Sequence, residues 1–352
     1  MKHPIPPGTR DILPDEMREL RALQRRLADV FERFGYGEVA TPTVEYDDVL
    51  ALGGLGSGAP SAHRFFDRDG ELLAMRSDMT VPIARVVANR YAEAEPPLRL
   101  FYNARAYRAV RPQRGQTREF FQAGIELVGA GAPGGTIEVI EVLAAALDAA
   151  GLRRAVIGLG DASLYRRLLA EVGIADEAAR RLLDRLAGHD LVGLEAELGT
   201  LDLGSAEREA LLAIPSLRGG SDVLARARSL GGDAVGSALE GLTATYEGIA
   251  ERGIAERVAL DLGLLRDLGY YTGAILEVYD PALGHVLGGG GRYDELMGRF
   301  GRPLPAVGFA LYLERVHIAQ AEEERLATEA QHPSEAGLGR HTDREDRGGD
   351  EA

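Results

Sequence analysis

The spacing of apolar residues predicts a long amphipathic helix near the start of the chain. Between Asp15 and Phe34 the apolar positions recur every three or four residues, as expected for one buried helix face: Met17, Leu20, Leu23, Leu27, Val30, Phe31 and Phe34. Gly35 can end this helix because glycine readily adopts a left-handed backbone conformation. A short strand, EVATPTVE (38–45), is predicted to follow.

A strand-to-helix transition is predicted around residue 78. The strand covers residues 72–75, and Asp78 or Ser77 can cap the helix that follows, whose apolar face contains Val81, Ile83, Ala84 and Val87. Side chains at such a transition commonly line the mouth of a pocket.

Two longer strands, 98–108 and 118–128, show strict alternation and are joined by a loop that contains Pro112 and Gly115. On one face of the second strand lie Phe121, Ala123, Ile125 and Leu127, and on the other Arg118, Phe120, Gln122, Gly124 and Glu126. The polar face would be costly to bury unless a polar ligand lay across it. A half-solvated antiparallel sheet explains the same pattern, so both interpretations stay open.

The amino-acid composition of the chain changes between residues 161 and 256. Ala-, Leu- and Arg-rich amphipathic segments separated by glycines predict a helical insertion there, and strand character returns at RVALDLG (257–263). The segment AVGFALYLERVHIAQAEEE (306–324) is predicted to be the final helix. We therefore expect an α+β core of residues 1–160 and 257–324, a helical insertion domain of 161–256, and a disordered acidic tail of 325–352.

Composition removes several classes of function. The 352 residues include no cysteine and one lysine, Lys2, which excludes disulfides, thiolate nucleophiles, a Walker phosphate loop and a Schiff-base lysine. The seven histidines lack the spacing of metal ligands, so no metal site is expected. No apolar run approaches a membrane span and no secretory signal is visible, so we expect a cytoplasmic protein without a membrane segment.

The net charge and the glycine clusters also point away from common partners. The formal charge of −15 opposes broad nucleic-acid binding, which depends on basic surfaces. GLGDAS (158–163) lacks the third glycine of a dinucleotide fingerprint, and neither GGLGSG (53–58) nor GGGGRYD (288–294) has the lysine of a phosphate loop. No cofactor is expected.

Six motifs in order resemble the catalytic core of class II histidyl-tRNA synthetases over residues 5–320. They are GTRDILPDEM (8–17), MRSDMT (75–80), YRAVRPQRGQTREFFQAGIELVG (107–129), LRDLGYYTG (265–273), GGGGRYDEL (288–296) and AVGFALYLERV (306–316). The resemblance implies a class II synthetase-like antiparallel sheet of six or seven strands flanked by helices, a helical insertion, and a homodimer formed through the first motif.

The resemblance also assigns roles to a histidine pocket. Asp78 and Thr80 match the residues that hold the α-amino group, Gln122 and Glu126 match those that face the ligand from the central strand, and Tyr271 and Tyr293 match the tyrosines around the imidazole. Arg266 matches the arginine near the carboxylate. Arg108 and Tyr270 complete the expected set. These types suit an amino acid, which needs an anion for its ammonium group and a cation for its carboxylate.

The nucleotide half of the family's pocket is altered. Val110 replaces the glutamate that reads adenine, Gln116 replaces an arginine, and Tyr312 stands where a glycine leaves room for the base. Where the family has a motif like RGLDYY, residues 266–271 of this chain read RDLGYY, with Asp267 and Gly269 at the changed positions. Arg108 and Arg315 remain at phosphate-binding positions, so Arg315 is a possible residual anion site. The resemblance therefore implies impaired adenylation.

Only some 30 polar residues follow Gln320, where the family carries an anticodon-binding domain of about 100 residues. The combination resembles the synthetase-like regulatory subunits of ATP phosphoribosyltransferase. It implies a non-catalytic role in the first step of histidine biosynthesis, a short-form catalytic subunit as partner, histidine as feedback effector, a homodimer within a hetero-oligomer, and no tRNA. The alternatives are a shortened histidyl-tRNA synthetase, another amino-acid-activating ligase, or a stand-alone amino-acid-binding protein.

Overall fold

The computed structural model describes residues 4–54, 62–109, 117–188, 190–264, 270–281 and 283–331. Its helices are α1 Pro14–Arg33, α2 Asp47–Leu52, α3 Thr80–Arg90, α4 Gly134–Ala149, α5 Leu164–Glu171, α6 Asp176–Ala187, α7 Leu191–Gly199, α8 Ser205–Ala213, α9 Asp222–Ala238, α10 Glu240–Glu251, α11 Leu296–Arg299 and α12 Leu313–Gln331. Its strands are β1 Gly37–Glu38, β2 Val44–Tyr46, β3 Arg64–Phe66, β4 Leu72–Met75, β5 Leu98–Tyr107, β6 Glu119–Val128, β7 Val156–Asp161, β8 Arg218–Gly219, β9 Val258–Asp261, β10 Ala274–Tyr279, β11 Val286–Arg292 and β12 Ala306–Tyr312.

A nine-stranded sheet organises the fold, in the order β1-β5-β6-β12-β11-β10-β7-β9-β8. The central pairs are antiparallel, as expected, whereas β1 pairs with β5 and β7 with β9 in parallel. The sheet is thus larger than the six or seven strands expected, because short strands extend both of its edges. The expected α+β class is confirmed, since helices flank a largely antiparallel sheet.

One face of this sheet carries the main apolar core. Helices α1, α4 and α12 cover it, and Leu27, Val30 and Phe31 of α1 are fully buried together with Phe101 and Ile125 of the sheet. The predicted first helix is confirmed almost to the residue, and Gly35 after it has a φ of 82°. Its apolar stripe therefore positions β5 and β6 from behind.

Two predicted elements are wrong in detail. The segment 38–45 is not one strand but parts of β1 and β2, which belong to different sheets; Pro42 between them has no N–H for a strand ladder. The segment 306–324 begins as strand β12 and becomes helical only at Leu313. Strands β6 and β11 flank β12 and pair with it on both sides, which outweighs the local pattern.

The region between β7 and β9 contains α5 to α10 and the short strand β8, which joins the edge of the large sheet. Its treatment as a separate domain stays a prediction. The expected start of the disordered tail is wrong, because α12 continues six residues past Arg325, to Gln331. Arg325 pairs with Glu322 and Glu329, about one turn away on either side, which stabilises the extra helix. Residues 332–352 of the predicted tail lie outside the described residues.

Among the helices of the described ranges, none is both long enough and apolar enough to cross a membrane. In the same ranges no group of histidine and acidic side chains could hold a metal ion.

Candidate functional site

A buried carboxyl group lies at the centre of the polar face of β6. Glu126 is 2% exposed, and Thr80, the first residue of α3, donates a hydrogen bond from Oγ1 to Glu126 Oε1 at 2.8 Å. Tyr293, which follows β11, donates its hydroxyl proton to Oε2. The structure therefore unites three predicted site residues from three separate parts of the chain.

Glycines make room for this arrangement on the surface of the sheet. Gly308 of β12 lies directly opposite Glu126, and a Cβ atom there would collide with Glu126 Oε2 and the Ile125 carbonyl. Gly124 of β6 lies opposite Tyr102, and a Cβ atom would lie 2.5 Å from the Tyr102 hydroxyl. The missing side chains let the carboxyl group and the phenol lie against the backbone.

The environment of Glu126 shifts its proton equilibrium. Burial raises the pKa of Glu126 to about 8 from its ordinary 4.5. The hydrogen bonds from Tyr293 and Thr80 oppose this shift, and the charge of Asp78 adds to it. Burial therefore favours the protonated form of Glu126, and a cationic ligand would favour its ionised form.

Asp78 provides a second carboxyl group at the start of α3. The backbone N–H of Val81 donates to Asp78 Oδ1 at 3.2 Å, so Asp78 satisfies a helix N-terminal donor although Met79 is the capping position. Burial is the main cause that raises the pKa of Asp78, and the positive charge of Arg108 opposes it. The helix apolar face predicted from the sequence is buried as expected.

Tyrosines form the wall of the pocket. The ring of Tyr270 packs edge-on against Tyr271, with centroids 5.0 Å apart, and against Tyr293, with centroids 5.7 Å apart. Tyr102, which the sequence reasoning missed, is 1% exposed, and burial followed by the charge of Glu126 raises its pKa well above the ordinary value. The signal that could have identified Tyr102 is the alternation of β5 together with the pairing of Tyr102 with Gly124.

Gln122 continues the polar face toward the other end of the pocket. It is 2% exposed, and its Oε1 atom has no hydrogen-bond partner among the described residues. An unmet buried acceptor costs about 1–3 kcal/mol, which a ligand N–H group would recover. The half-solvated alternative for this face is wrong, because nine of the ten residues of β6 are buried.

A stack of rings and guanidinium groups occupies the neighbouring space. Arg108 Nη2 donates to the Tyr312 hydroxyl at 3.3 Å, and its guanidinium carbon lies 4.9 Å from the ring centroid of Phe120. The guanidinium carbon of Arg315 lies 4.7 Å from the Tyr312 ring centroid, and its Nη1 donates to the Val286 carbonyl at 2.7 Å. The Tyr312 ring therefore lies against both retained arginines, and we call the place that this ring occupies the slot.

Arg266, Asp267 and Gly269 lie outside the described residues, as do Val110 and Gln116. The remaining residues form an acidic, aromatic cluster next to the slot at Tyr312. Such a cluster is suited to an amine or a protonated heterocycle, since it combines two carboxyl groups with several phenols.

Comparison with known proteins agrees with this geometry. A model of the family described as histidyl-tRNA synthetase matches residues 8–316. An ATP phosphoribosyltransferase regulatory subunit from Moorella thermoacetica is 40% identical over 319 residues, which cover 90% of this chain and 82% of the relative. A protein of the same name from Rubrobacter xylanophilus is 44% identical over 316 residues, which cover 88% and 75%.

Solved structures of similar fold belong to the same kinds of protein. A Bacillus halodurans structure described as an ATP phosphoribosyltransferase regulatory subunit/histidyl-tRNA synthetase has a TM-score of 0.84 at 34% identity, covering 91% of this chain and 84% of that one. A Nostoc histidyl-tRNA synthetase, at 22% identity and a TM-score of 0.74, covers 94% and 76% and supports the fold alone. This chain therefore belongs to the histidyl-tRNA synthetase family and, within it, to the group formed by the ATP phosphoribosyltransferase regulatory subunits.

Proposed function

We propose that this chain is the regulatory subunit of an ATP phosphoribosyltransferase and acts in the first step of histidine biosynthesis. In this proposal a short-form catalytic subunit carries out the transfer reaction, and the present chain binds histidine and contributes no catalytic residue. It works in the cytoplasm, as a homodimer within a hetero-oligomer, and does not bind tRNA. The names of its relatives support the first part, and the pocket supports the choice of ligand.

The observation that carries the ligand assignment is the cluster around Glu126. Thr80 and Tyr293 fix its two oxygens, and Asp78 adds a second carboxyl group. Histidine offers an ammonium group for one carboxyl group and an imidazole N–H for the other. Gln122 Oε1 supplies an additional acceptor.

The slot beside this pocket supports sensing over activation. Adenylate formation needs a place for the adenine ring, and the Tyr312 ring lies against the guanidinium groups of both Arg108 and Arg315. The bond from Arg108 to the Tyr312 hydroxyl holds the ring in position. Histidine can then act as a feedback signal if it binds one arrangement of the hetero-oligomer more tightly than another, which biases the partner's activity.

The alternative is an amino-acid-activating ligase such as a shortened histidyl-tRNA synthetase. The retention of Arg108 and Arg315 at positions that can hold phosphates favours it. Exchange of labelled pyrophosphate into ATP in the presence of histidine separates the two functions. Robust exchange would establish the ligase, whereas absent exchange with intact histidine binding agrees with a regulatory subunit.

Calorimetry with the full-length chain tests the placement of histidine. Glu126→Ala removes a charged hydrogen-bonding group, which corresponds to about 10- to 100-fold weaker binding, and Tyr271→Phe removes one hydroxyl, which corresponds to about 2- to 10-fold. Tyr46→Phe, at an exposed tyrosine of β2, is the matched control. Co-purification with a short catalytic subunit should survive in all three variants. Unchanged affinity in both pocket variants would refute the placement.

A further inference from the structure

The pairing of the central strands divides the polar face of the sheet into rows of facing residues. Glu126 and Gln122 of β6 belong to two rows that lie on either side of Gly124. Gly124 faces Ala310 of β12, which in turn faces Gly289 of β11. Residues two apart on a strand are separated by about 7 Å. The row of Gly124, Ala310 and Gly289 therefore forms a shallow trough, because none of the three residues carries more than a methyl group.

Larger side chains flank this trough on both sides. In the row of Glu126, the Tyr271 ring lies over Gly291, where a Cβ atom would be 2.8 Å from Tyr271 Cδ1. In the row on the other side, Gln122 faces Tyr312. The Oε1 atom of Gln122 is buried and has no hydrogen-bond partner among the described residues. A ligand N–H group in the trough would satisfy this acceptor.

Tyr102 closes the β5 end of the trough. It faces Gly124 from β5, and a Cβ atom on Gly124 would lie 2.5 Å from the Tyr102 hydroxyl oxygen and 2.8 Å from its Cζ atom. The outer end of the phenol therefore lies over Gly124, and the trough continues from there across Ala310 and Gly289. Tyr102 is 1% exposed and belongs to the apolar cluster that contains Met79, so packing holds the ring in this place.

The phenol of Tyr102 is a neutral wall. Burial, followed by the charges of Glu126 and Asp78, raises the pKa of Tyr102 well above its ordinary value, so the hydroxyl keeps its proton. A neutral ring adds no third negative charge beside the two carboxyl groups. It therefore acts on a ligand through its size and not through its charge.

We propose that Tyr102 is a specificity-determining residue of the Glu126 site and limits the length of the amino-acid side chain that this site accepts. The inference rests on the proposed binding of histidine. An imidazole ring is smaller than a phenyl ring by one ring atom, so phenylalanine in the trough would meet the phenol where histidine does not. A clash built against the wrong ligand is a common source of specificity.

Calorimetric titration of the full-length chain with histidine and with phenylalanine tests the size limit. The native chain should bind phenylalanine at least about 100-fold more weakly than histidine, and Tyr102→Leu, which removes the outer end of the ring, should reduce this ratio about tenfold or more. Tyr91→Leu is the matched control, because Tyr91 is a half-buried tyrosine that packs against the same apolar cluster from the end of α3. Its ratio should stay within about twofold of the native one.

A second variant fills the trough from the opposite side. Ala310 is half-buried, and Ala310→Leu places a branched side chain next to Gly124. Histidine binding should weaken about tenfold or more in this variant, since the added atoms occupy the place of the ligand ring. Urea unfolding checks that each variant is folded, and Ala310→Leu decides the test where Tyr102→Leu does not fold.

The outcomes distinguish this inference from the function on which it rests. A native chain that does not bind histidine would overturn both. Histidine binding with an unchanged ratio in Tyr102→Leu would overturn the size limit alone, as would an equal change of the ratio in Tyr91→Leu. Unchanged histidine affinity in Ala310→Leu would show that the ligand lies outside the trough, which also removes the role of Tyr102.

Discussion

Replacement of the buried carboxyl group by its amide, Glu126→Gln, should change how stability depends on pH. In the folded chain the pKa of Glu126 is about 8, against an ordinary value of 4.5, because burial disfavours the charged form. Between these values the folded state keeps a proton that the unfolded chain releases. The stability contributed by this group is therefore full below pH 4.5 and is lost as pH rises through 8.

The size of the effect follows from the shift. One proton corresponds to about 1.4 kcal/mol per pH unit, so the native chain should lose about 3 kcal/mol from this group between pH 5.5 and 7.5. A glutamine cannot ionise, and the hydroxyls of Thr80 and Tyr293 can rotate to meet its amide. The variant should therefore gain about 3 kcal/mol relative to the native chain over this interval.

Urea unfolding at pH 5.5, 6.5 and 7.5, in the absence of ligand, measures this difference in slope. Any fixed cost of repacking the amide cancels, because only the change with pH is compared. Glu195→Gln, at an exposed position of α7, is the control and should leave the profile of the native chain unchanged. Parallel profiles for Glu126→Gln and the native chain would refute a buried, protonated carboxyl group in the pocket.

Other substitutions test the core and the slot. Arg292 is a buried cation, 3% exposed, that donates a hydrogen bond to Asp294 at 2.7 Å. Arg292→Met should lower the free energy of unfolding in urea by about 3–5 kcal/mol, because Asp294 loses its donor, and a loss below 1 kcal/mol would contradict this. Leu27 is fully buried, so Leu27→Ala should lower the free energy of unfolding by about 2–5 kcal/mol. Val192 is 80% exposed, so Val192→Ala should change it by no more than about 0.5 kcal/mol, and similar losses for both variants would contradict the assigned core. Tyr312→Gly should open the slot and allow fluorescent ATP analogues to bind, which polarisation would detect; equal polarisation in the native chain would show that the ring does not block the slot.

The central pocket could be anticipated only in part. The alternation of residues 118–128 identified the polar face with Gln122 and Glu126, and the order of motifs brought Thr80 and Tyr293 into the same proposed site. Tyr102 was missed because a tyrosine in an alternating strand is usual. Only its pairing opposite Gly124 distinguishes it.

The sequence by itself determined the periodic elements and the chemistry they offer. The apolar stripe of α1 and the alternation of β5 and β6 are local patterns. Any helix or strand that buries one face against a core shows such a pattern, so the sequence alone reveals it. The tertiary structure decided what depends on distant neighbours. Strand pairing on both sides made 306–312 a strand, and packing from three segments buried Glu126 and raised its pKa. Strand β6 is more than a hundred positions from β12, and Tyr293 is more than a hundred positions from Glu126, so no local pattern could specify this pairing and this burial.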